Sequence, residues 1–235
     1  MAFLSRLARA LRRFATEPAY RSEWRLRLAA PAGALQPYNR TQPDRYPVIF
    51  RRAAEALDDG PDRRILSFGC STGEEVFSLR RYFPQSLIEG IDINPGNIAI
   101  CERRLRRVPD PRVRFRIAAT TQHVPDAAYD AIFCMAVLRH GALSKPGVTR
   151  ADPFLSFAQF ARLTDDFARC LKSGGLLVLR HSNFRFADAP AYARFEPLPP
   201  VPLNNSGSRT PLFGPDDRLM PGAIYEEALF RKRAC

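Results

Sequence analysis

The sequence is poor in the residues that build metal centres and disulfide frameworks. Its 235 residues include five cysteines and three histidines. None of the cysteines forms a CxxC pair, and the histidines lie far apart in the sequence. We therefore expect no metal site and no disulfide framework, and a reducing cytoplasm fits this cysteine usage best.

Long apolar runs and lysines are also scarce. No apolar run approaches the ~20 residues that a helix needs to cross a bilayer, so we expect no transmembrane helix. Only three of the 36 basic residues are lysines, and the formal net charge is +12. A basic surface attracts nucleic acid, anionic lipid or acidic small molecules, and net charge alone does not choose among them.

The first 30 residues carry seven arginines and two glutamates. Apolar residues recur within residues 3–14 at spacings of three and four, with arginines between them. The pattern predicts a basic amphipathic helix, which either lies on the inner face of an anionic membrane or packs on its own domain or a partner subunit. An arginine-rich, acid-poor start is also typical of transit peptides. We predict that this helix and a linker form residues 1–38, and that 39–235 form the main domain.

From residue 46 onward, predicted helices and strands alternate. Short apolar runs predict strands at 64–68, 87–91, 113–118, 129–137 and 176–179, and a last strand at 223–231. Helical patterns fall at 46–57, 74–82, 95–107 and 153–171, the last ended by the Ser-Gly-Gly at 173–175. The alternation predicts an α/β domain with a parallel sheet covered by helices on both faces.

The stretch ILSFGCSTGEE, residues 65–75, predicts a strand, a glycine turn and a helix. Glycines let the backbone approach a ligand closely, and Asp92, at the end of the next strand, can accept hydrogen bonds from both ribose hydroxyls. Neither GxGxxG nor GxxxxGK[ST] is present, and Glu74 and Glu75 disfavour phosphates. A positively charged nucleoside fits, and S-adenosylmethionine is one. The alternative is an ordinary turn whose acids favour the helix dipole.

Four stretches resemble, in order, the chemotaxis receptor glutamate methyltransferases, the CheR type of class I S-adenosylmethionine-dependent methyltransferase. They are NRTQPDRYPVIF (39–50), STGEE (71–75), YDAIFCMAVL (129–138) and LKSGGLLVLRHSNF (171–184). The resemblance implies a Rossmann-like, seven-stranded, mostly parallel sheet and S-adenosylmethionine as the cofactor. That family's receptor-docking subdomain has no counterpart here, because only residues 95–112 fill its place.

The same resemblance places residues around the cofactor. Glu75 and the glycine turn would surround the methionine portion, Arg45 its carboxylate, and Asp92 and Ile93 the ribose and adenine. The full predicted set is Asn39, Thr41, Arg45, Phe68, Gly69, Cys70, Ser71, Thr72, Gly73, Glu75, Asp92, Ile93, Ala119, Thr120, Met135 and Ala136. At the position of Ala136 the family has an asparagine, whose amide would contact the cofactor.

Four residues are predicted to bind the methyl acceptor: Tyr46, Arg139, His140 and His181. Arginine at this edge of the sheet would attract a carboxylate or phosphate. His140 either takes a proton from a hydroxyl or amine acceptor, or makes a structural hydrogen bond.

The expected function is methyl transfer to an oxygen or nitrogen of a small, anionic molecule. The alternatives are methylation of a protein carboxylate or amine, and cofactor binding without turnover. No nucleic acid is expected as a partner, because no Asn/Asp-Pro-Pro-Tyr/Phe tetrad follows the fourth strand.

Overall fold

One seven-stranded sheet organises the part of the chain that the computed structural model describes, residues 2–29, 35–36, 38, 41–201 and 210–234. The strands are β1 (Arg64–Phe68), β2 (Leu87–Asp92), β3 (Val113–Ile117), β4 (Tyr129–Met135), β5 (Leu171–Arg180), β6 (Phe195–Pro197) and β7 (Leu229–Lys232). Their order across the sheet is β3-β2-β1-β4-β5-β7-β6. Strands β1 to β5 are parallel, and β7 is antiparallel to both β5 and β6. The predicted α/β, Rossmann-like, mostly parallel sheet is confirmed.

Helices cover both faces of the sheet. They are α1 (Ala2–Thr16), α2 (Pro18–Ala29), α3 (Pro47–Leu57), α4 (Glu74–Tyr82), α5 (Pro95–Arg107) and α6 (Phe157–Cys170). The β1 neighbours Ile65 and Leu66 belong to two different apolar layers, because side chains alternate along a strand. Helix α6 contributes Phe160 and Phe167 to the layer of Leu66, whereas α3, α4 and α5 pack in the layer of Ile65.

The chain departs from the predicted elements mainly around β5. Helix α6 begins at Phe157 rather than residue 153, because Ser156 and Gln159 form a reciprocal capping box. Strand β5 starts directly after α6 and includes the Ser-Gly-Gly residues that were predicted to separate the two elements. The register of its pairing with β4 shifts at this point. Strand β7 is shorter than the predicted 223–231, and β6 was not predicted.

The N-terminal segment forms two helices, because Pro18 begins a second one. Ser22 of α2 donates a 2.7 Å hydrogen bond from Oγ to Oδ1 of Asn94, which caps α5. Helix α2 therefore packs on the main domain. Helix α1 contacts α2, and its side chains Leu11 and Phe14 are exposed. Within the described residues, no helix combines the length and apolar character that a membrane span needs.

Candidate cofactor and acceptor site

The carboxyl ends of β1, β2 and β4 open into a cavity of about 100 Å³, which we call the main cavity. Ligands of open α/β sheets bind in crevices at this edge. Twelve predicted cofactor residues line it: Thr41, Arg45, Phe68, Gly69, Cys70, Ser71, Glu75, Asp92, Ile93, Ala119, Met135 and Ala136. Thr72, Gly73 and Thr120 are not among the described residues of its wall, and Asn39 lies outside the described residues.

The turn after β1 brings its backbone against the main cavity. Gly69 has a φ of +72°, and a Cβ there would lie 2.5 Å from Cγ2 of Val137. Ser71 has a φ of +51°, and its Oγ is buried without a hydrogen-bond partner in the described part of the chain. A buried hydroxyl in such a wall is a ready partner for a ligand.

Two further residues of this turn make contacts within the chain, and their predicted contact with a cofactor stays a prediction. Gly73, with a φ of +91°, is the N-cap of α4 and completes the turn. Thr72 donates a 2.6 Å hydrogen bond from Oγ1 to Oε2 of Glu74, and its carbonyl accepts one from Arg104 of α5 at 2.8 Å. Glu74 also accepts from Arg104, so these side chains face α5.

Asp92 is 8% exposed and already accepts three hydrogen bonds. Its Oδ1 accepts from the backbone N–H of Asn94 at 2.8 Å and from Nδ2 of Asn97 at 3.1 Å. Its Oδ2 accepts from the backbone N–H of Ser71 at 2.8 Å. Burial raises the pKa of the carboxyl, and these bonds oppose the shift. Since a carboxylate has about four acceptor positions, Oδ2 keeps one for a ligand.

Glu75 is the second acid of the main cavity. Its Oε1 accepts a 2.7 Å hydrogen bond from Oγ of Ser67. Burial raises the pKa of this carboxyl to about 7, while the Ser67 hydrogen bond and the charge of Arg45 oppose the rise. A cationic ligand beside this carboxyl would lower its pKa again, because nearby positive charge favours the ionised form. The carboxylate would in turn attract the ligand.

A side cavity of about 320 Å³ adjoins the main cavity, and four residues line both: Gln36, Tyr38, Arg45 and Ala136. Arg139 also lines the side cavity. Arg45, Arg139 and Arg180, which we call the arginine cluster, all act electrostatically on Tyr46 and His181. Several guanidinium groups close together favour the binding of an anion.

Tyr46 lines the main cavity beside the arginine cluster. Its Oη is buried and lacks a hydrogen-bond partner in the described ranges. Burial raises the pKa of the phenol to about 12, against the opposing charge of Arg45. The phenol is therefore protonated near neutral pH and offers one donor to a ligand.

His140 lies outside the described walls of both cavities. Its Nδ1 accepts a 3.3 Å hydrogen bond from the backbone N–H of Ala142, and its ring stacks on Phe154 with centroids 5.1 Å apart. Burial and the charge of Lys145 lower its pKa, so the ring is neutral and carries its proton on Nε2. This arrangement favours the structural alternative over a general base.

His181 follows β5 with a φ of +53°, and its ring centroid lies 5.7 Å from that of Tyr46. Burial lowers its pKa to about 4, and the arginine cluster adds to the shift. Its imidazole is therefore neutral near pH 7 and lines a third cavity, not the two described so far.

Several residues of the main cavity were not predicted: Leu26, Leu35, Gln36, Tyr38, Gln42, Phe50, Ala118 and Val137. Gln36 donates a 2.6 Å hydrogen bond from Nε2 to the carbonyl of Ala136. The guanidinium of Arg27 lies 4.8 Å from the ring centroid of Tyr38. Gln36 and Tyr38 could have been identified from their position just before the predicted Asn39-x-Thr41 segment. No comparable sequence signal points to Leu26. The predicted boundary after residue 38 stays a prediction, although side chains from both sides line the cavity.

Residues 66–179 match the family model described as "Methyltransferase domain". The matched range contains the turn after β1, Asp92, and the ends of β4 and β5 up to Leu179. The match, over slightly less than half of the chain, agrees with the predicted class I, S-adenosylmethionine-dependent methyltransferase.

Similar proteins match only parts of the chain. Trans-aconitate 2-methyltransferase of Methylobacterium nodulans is 32% identical over 107 residues, which are 43% of this chain and 40% of that protein. The chain therefore spans less than half the length of this curated relative.

Two solved structures are also similar. Geranyl diphosphate C-methyltransferase from Streptomyces coelicolor is 22% identical, with a TM-score of 0.42, over 55% of this chain and 42% of that chain. Phosphoethanolamine N-methyltransferase 2 of Haemonchus contortus is 17% identical, with a TM-score of 0.45, over 60% and 29%.

Proposed function

We propose that this protein transfers the methyl group of S-adenosylmethionine to a carboxylate oxygen of a small, anionic molecule. The observation that carries the proposal is the pairing of two acids in the main cavity with two arginines, Arg45 and Arg139, in the adjoining side cavity. Glu75 and Asp92 suit a cationic nucleoside, whereas Arg45 and Arg139 in the adjoining wall suit an anion.

In the proposed complex, the last acceptor position of Asp92 takes a ribose hydroxyl. Glu75 faces the positive charge of the methionine portion, and the buried hydroxyl of Ser71 supplies a further polar contact. The main cavity of about 100 Å³ is smaller than the roughly 300 Å³ at which small-molecule sites begin. The segment that carries Gln36 and Tyr38 would therefore move outward when the cofactor enters.

The reaction itself is an in-line displacement. A lone pair on the acceptor oxygen forms the new bond to the methyl carbon, the carbon–sulfur bond breaks, and its electrons stay on sulfur in S-adenosylhomocysteine. The sulfonium is already activated, so alignment supplies much of the rate. Arg45 and Arg139, which line the side cavity, would hold the acceptor near the end of β4.

A carboxylate acceptor fits the available groups better than a hydroxyl or an amine. Those acceptors must lose a proton, which requires a base. The Nδ1 of His140 is engaged with Ala142, and the phenol of Tyr46 is protonated near neutral pH. His181 lines a different cavity, and its pKa of about 4 makes it a weak base. The named substrate of the curated relative, trans-aconitate, is also a small carboxylate.

Calorimetry and turnover test this proposal. We expect S-adenosylmethionine and S-adenosylhomocysteine to bind, and labelled methyl to transfer to members of a panel of di- and tricarboxylates. Because methyl esters are hydrolysed by base, the label should be released as methanol in alkali. Absence of heat with both nucleosides would refute the cofactor assignment. Binding without turnover would favour a non-catalytic protein, and label appearing on protein would favour a protein methyltransferase.

We also propose that α1 contacts anionic membrane from the cytoplasmic side. Leu11 is 62% exposed and Phe14 is 44% exposed, and Arg9 and Arg12 are exposed on the same helix. Exposed apolar side chains among arginines are typical of helices that lie in the membrane interface.

A further inference from the structure

A third cavity, which we call the β5 cavity, lies beyond the carboxyl end of β5 and has a volume of about 380 Å³. It is formed by the end of β5, the chain that follows it, and residues 223–227 before β7. No described residue lines both this cavity and the main cavity. It is large enough for a small ligand.

Buried polar atoms without partners concentrate in the wall of the β5 cavity. Within the described ranges, Tyr225 Oη, Glu227 Oε2 and Thr210 Oγ1 are all buried and lack a hydrogen-bond partner. The Glu227 carboxylate adds to the rise that burial causes in the pKa of Tyr225, and the backbone N–H groups of Phe186 and Ala187 oppose it, yet none of them bonds to Tyr225 Oη with normal geometry. A polar group that is buried without a partner destabilises a protein. Three such atoms around one cavity are available partners for a bound molecule.

A positively charged side chain lines the same cavity. Arg180 lines it, and the contact of its Nη1 with the carbonyl of Tyr225, at 3.4 Å, leaves other guanidinium N–H groups for an acceptor. The wall of the cavity therefore offers a carboxylate and hydroxyls to a donor, and a guanidinium to an anion.

We propose that the β5 cavity binds a small zwitterion, with its amine at Glu227 and Tyr225 and its anionic group at Arg180. The site is separate from the main cavity and does not rest on the proposed methyl transfer. His181 connects the two, because it lines the β5 cavity and lies beside Tyr46 of the main cavity.

The probes for this site are ω-amino acids of increasing length: glycine, β-alanine and 4-aminobutyrate. Titration calorimetry is run with saturating S-adenosylhomocysteine, which carries an amino-acid group itself and so blocks the main cavity from these probes. We expect saturable binding of at least one probe, and at least tenfold weaker binding of propionate and propylamine, which each present only one end. If none of the three probes gives heat, the cavity holds only water and the proposal is overturned.

Substitutions then locate the binding. Glu227→Gln should lower the affinity for the zwitterion about tenfold or more, because it removes the charge that pairs with the amine. Glu196→Gln, which makes the same change on exposed β6, should leave it unchanged. Tyr225→Phe gives a second variant if Glu227→Gln fails to fold. Equal affinity in wild type and in the folded variants would overturn the proposal, whereas failure of S-adenosylmethionine to bind would bear only on the main cavity.

Discussion

The backbone N–H of Ser71 lies 2.8 Å from Oδ2 of Asp92 and donates a hydrogen bond to it. This bond ties the turn after β1 to the end of β2. Ser71 has a positive φ, which few side chains adopt without support from their surroundings. Asp92 therefore shapes the turn in addition to its proposed contact with ribose.

Asp92→Ala should weaken the binding of S-adenosylhomocysteine and also destabilise the fold. The change removes a ribose acceptor and leaves the amides of Ser71 and Asn94 without their partner, at about 1–3 kcal/mol for each unpaired group. We expect affinity to fall at least about tenfold by calorimetry, with a lower melting temperature.

Asp130→Ala is the matched control. Asp130 is also a buried carboxylate with three donors, from Arg63, Arg64 and Lys172, but it lies at the start of β4, at the opposite edge of the sheet from the main cavity. The Asp130 variant should have a lower melting temperature, while its affinity for S-adenosylhomocysteine should stay near that of wild type. If Asp92→Ala binds as tightly as wild type, the ribose assignment is wrong.

Glu75 makes the stability of the unliganded protein depend on pH. Its folded pKa of about 7 exceeds its ordinary value of 4.5, so the folded state binds more protons than the unfolded state between these two values. The free energy of unfolding should therefore fall as pH rises through this window. Glu75→Gln should flatten that part of the profile and be more stable than wild type above about pH 7, as denaturant melts at several pH values would measure. An unchanged profile would mean that Glu75 titrates normally.

Ligand binding should show the opposite dependence on pH. The ionised form of Glu75 attracts the cationic methionine portion, so S-adenosylmethionine affinity should rise with pH up to about 7 and then level off. The steepest expected change is about tenfold per pH unit. Calorimetry of wild type and Glu75→Gln across this range measures it, and an equal slope in the variant would assign the effect to another group.

The residues that could be predicted from the sequence are those whose position follows from the strand before them. Ile65 and Leu66 lie in a short apolar run, so β1 was found with its observed bounds, and the turn and Asp92 then follow at strand ends. Gln36 could not be placed in the same way. Its bond to Ala136 spans 100 positions, and only the folded chain brings the two together.

Other parts lacked a local signal. The start of β5 was missed because glycines in Ser-Gly-Gly indicate the end of an element, whereas here a shift in pairing keeps them within the strand. Strand β6 lies in the proline-rich stretch after residue 186, where no alternating apolar pattern marks it. The β5 cavity depends on Arg180, Tyr225 and Glu227, which belong to segments far apart in the sequence.

Arg139→Gln should raise the KM for the acceptor with little effect on S-adenosylhomocysteine affinity. Arg139 lines the side cavity but not the main cavity, and a charge-assisted hydrogen bond contributes about 1.5–3 kcal/mol, or roughly 10–150-fold. Arg162→Gln, on the exposed face of α6, is the control for loss of positive charge. A parallel rise of KM in both variants would indicate general attraction by the basic surface.

Gly69→Ala should destabilise the protein by distorting the turn after β1. The new methyl group would lie 2.5 Å from Cγ2 of Val137, and φ at this position is +72°. The double variant Gly69→Ala/Val137→Ala removes the clash but keeps the backbone strain. We expect it to recover part of the lost stability, measured by thermal unfolding, relative to the single variant. Full stability of Gly69→Ala alone would show that the turn relaxes freely.

The exposed face of α1 predicts binding to anionic vesicles. Leu11→Asn/Phe14→Asn removes two exposed apolar side chains and keeps every arginine, while a variant without residues 1–16 removes both features. Wild type should float with phosphatidylglycerol vesicles and less with phosphatidylcholine vesicles. Raised salt should weaken the binding, since the Debye length falls from about 8 Å at physiological ionic strength to about 3 Å at 1 M. The double variant should lose most of this binding, because charge alone does not insert into the interface. Equal flotation of wild type and the truncated variant would rule out α1 as the membrane contact.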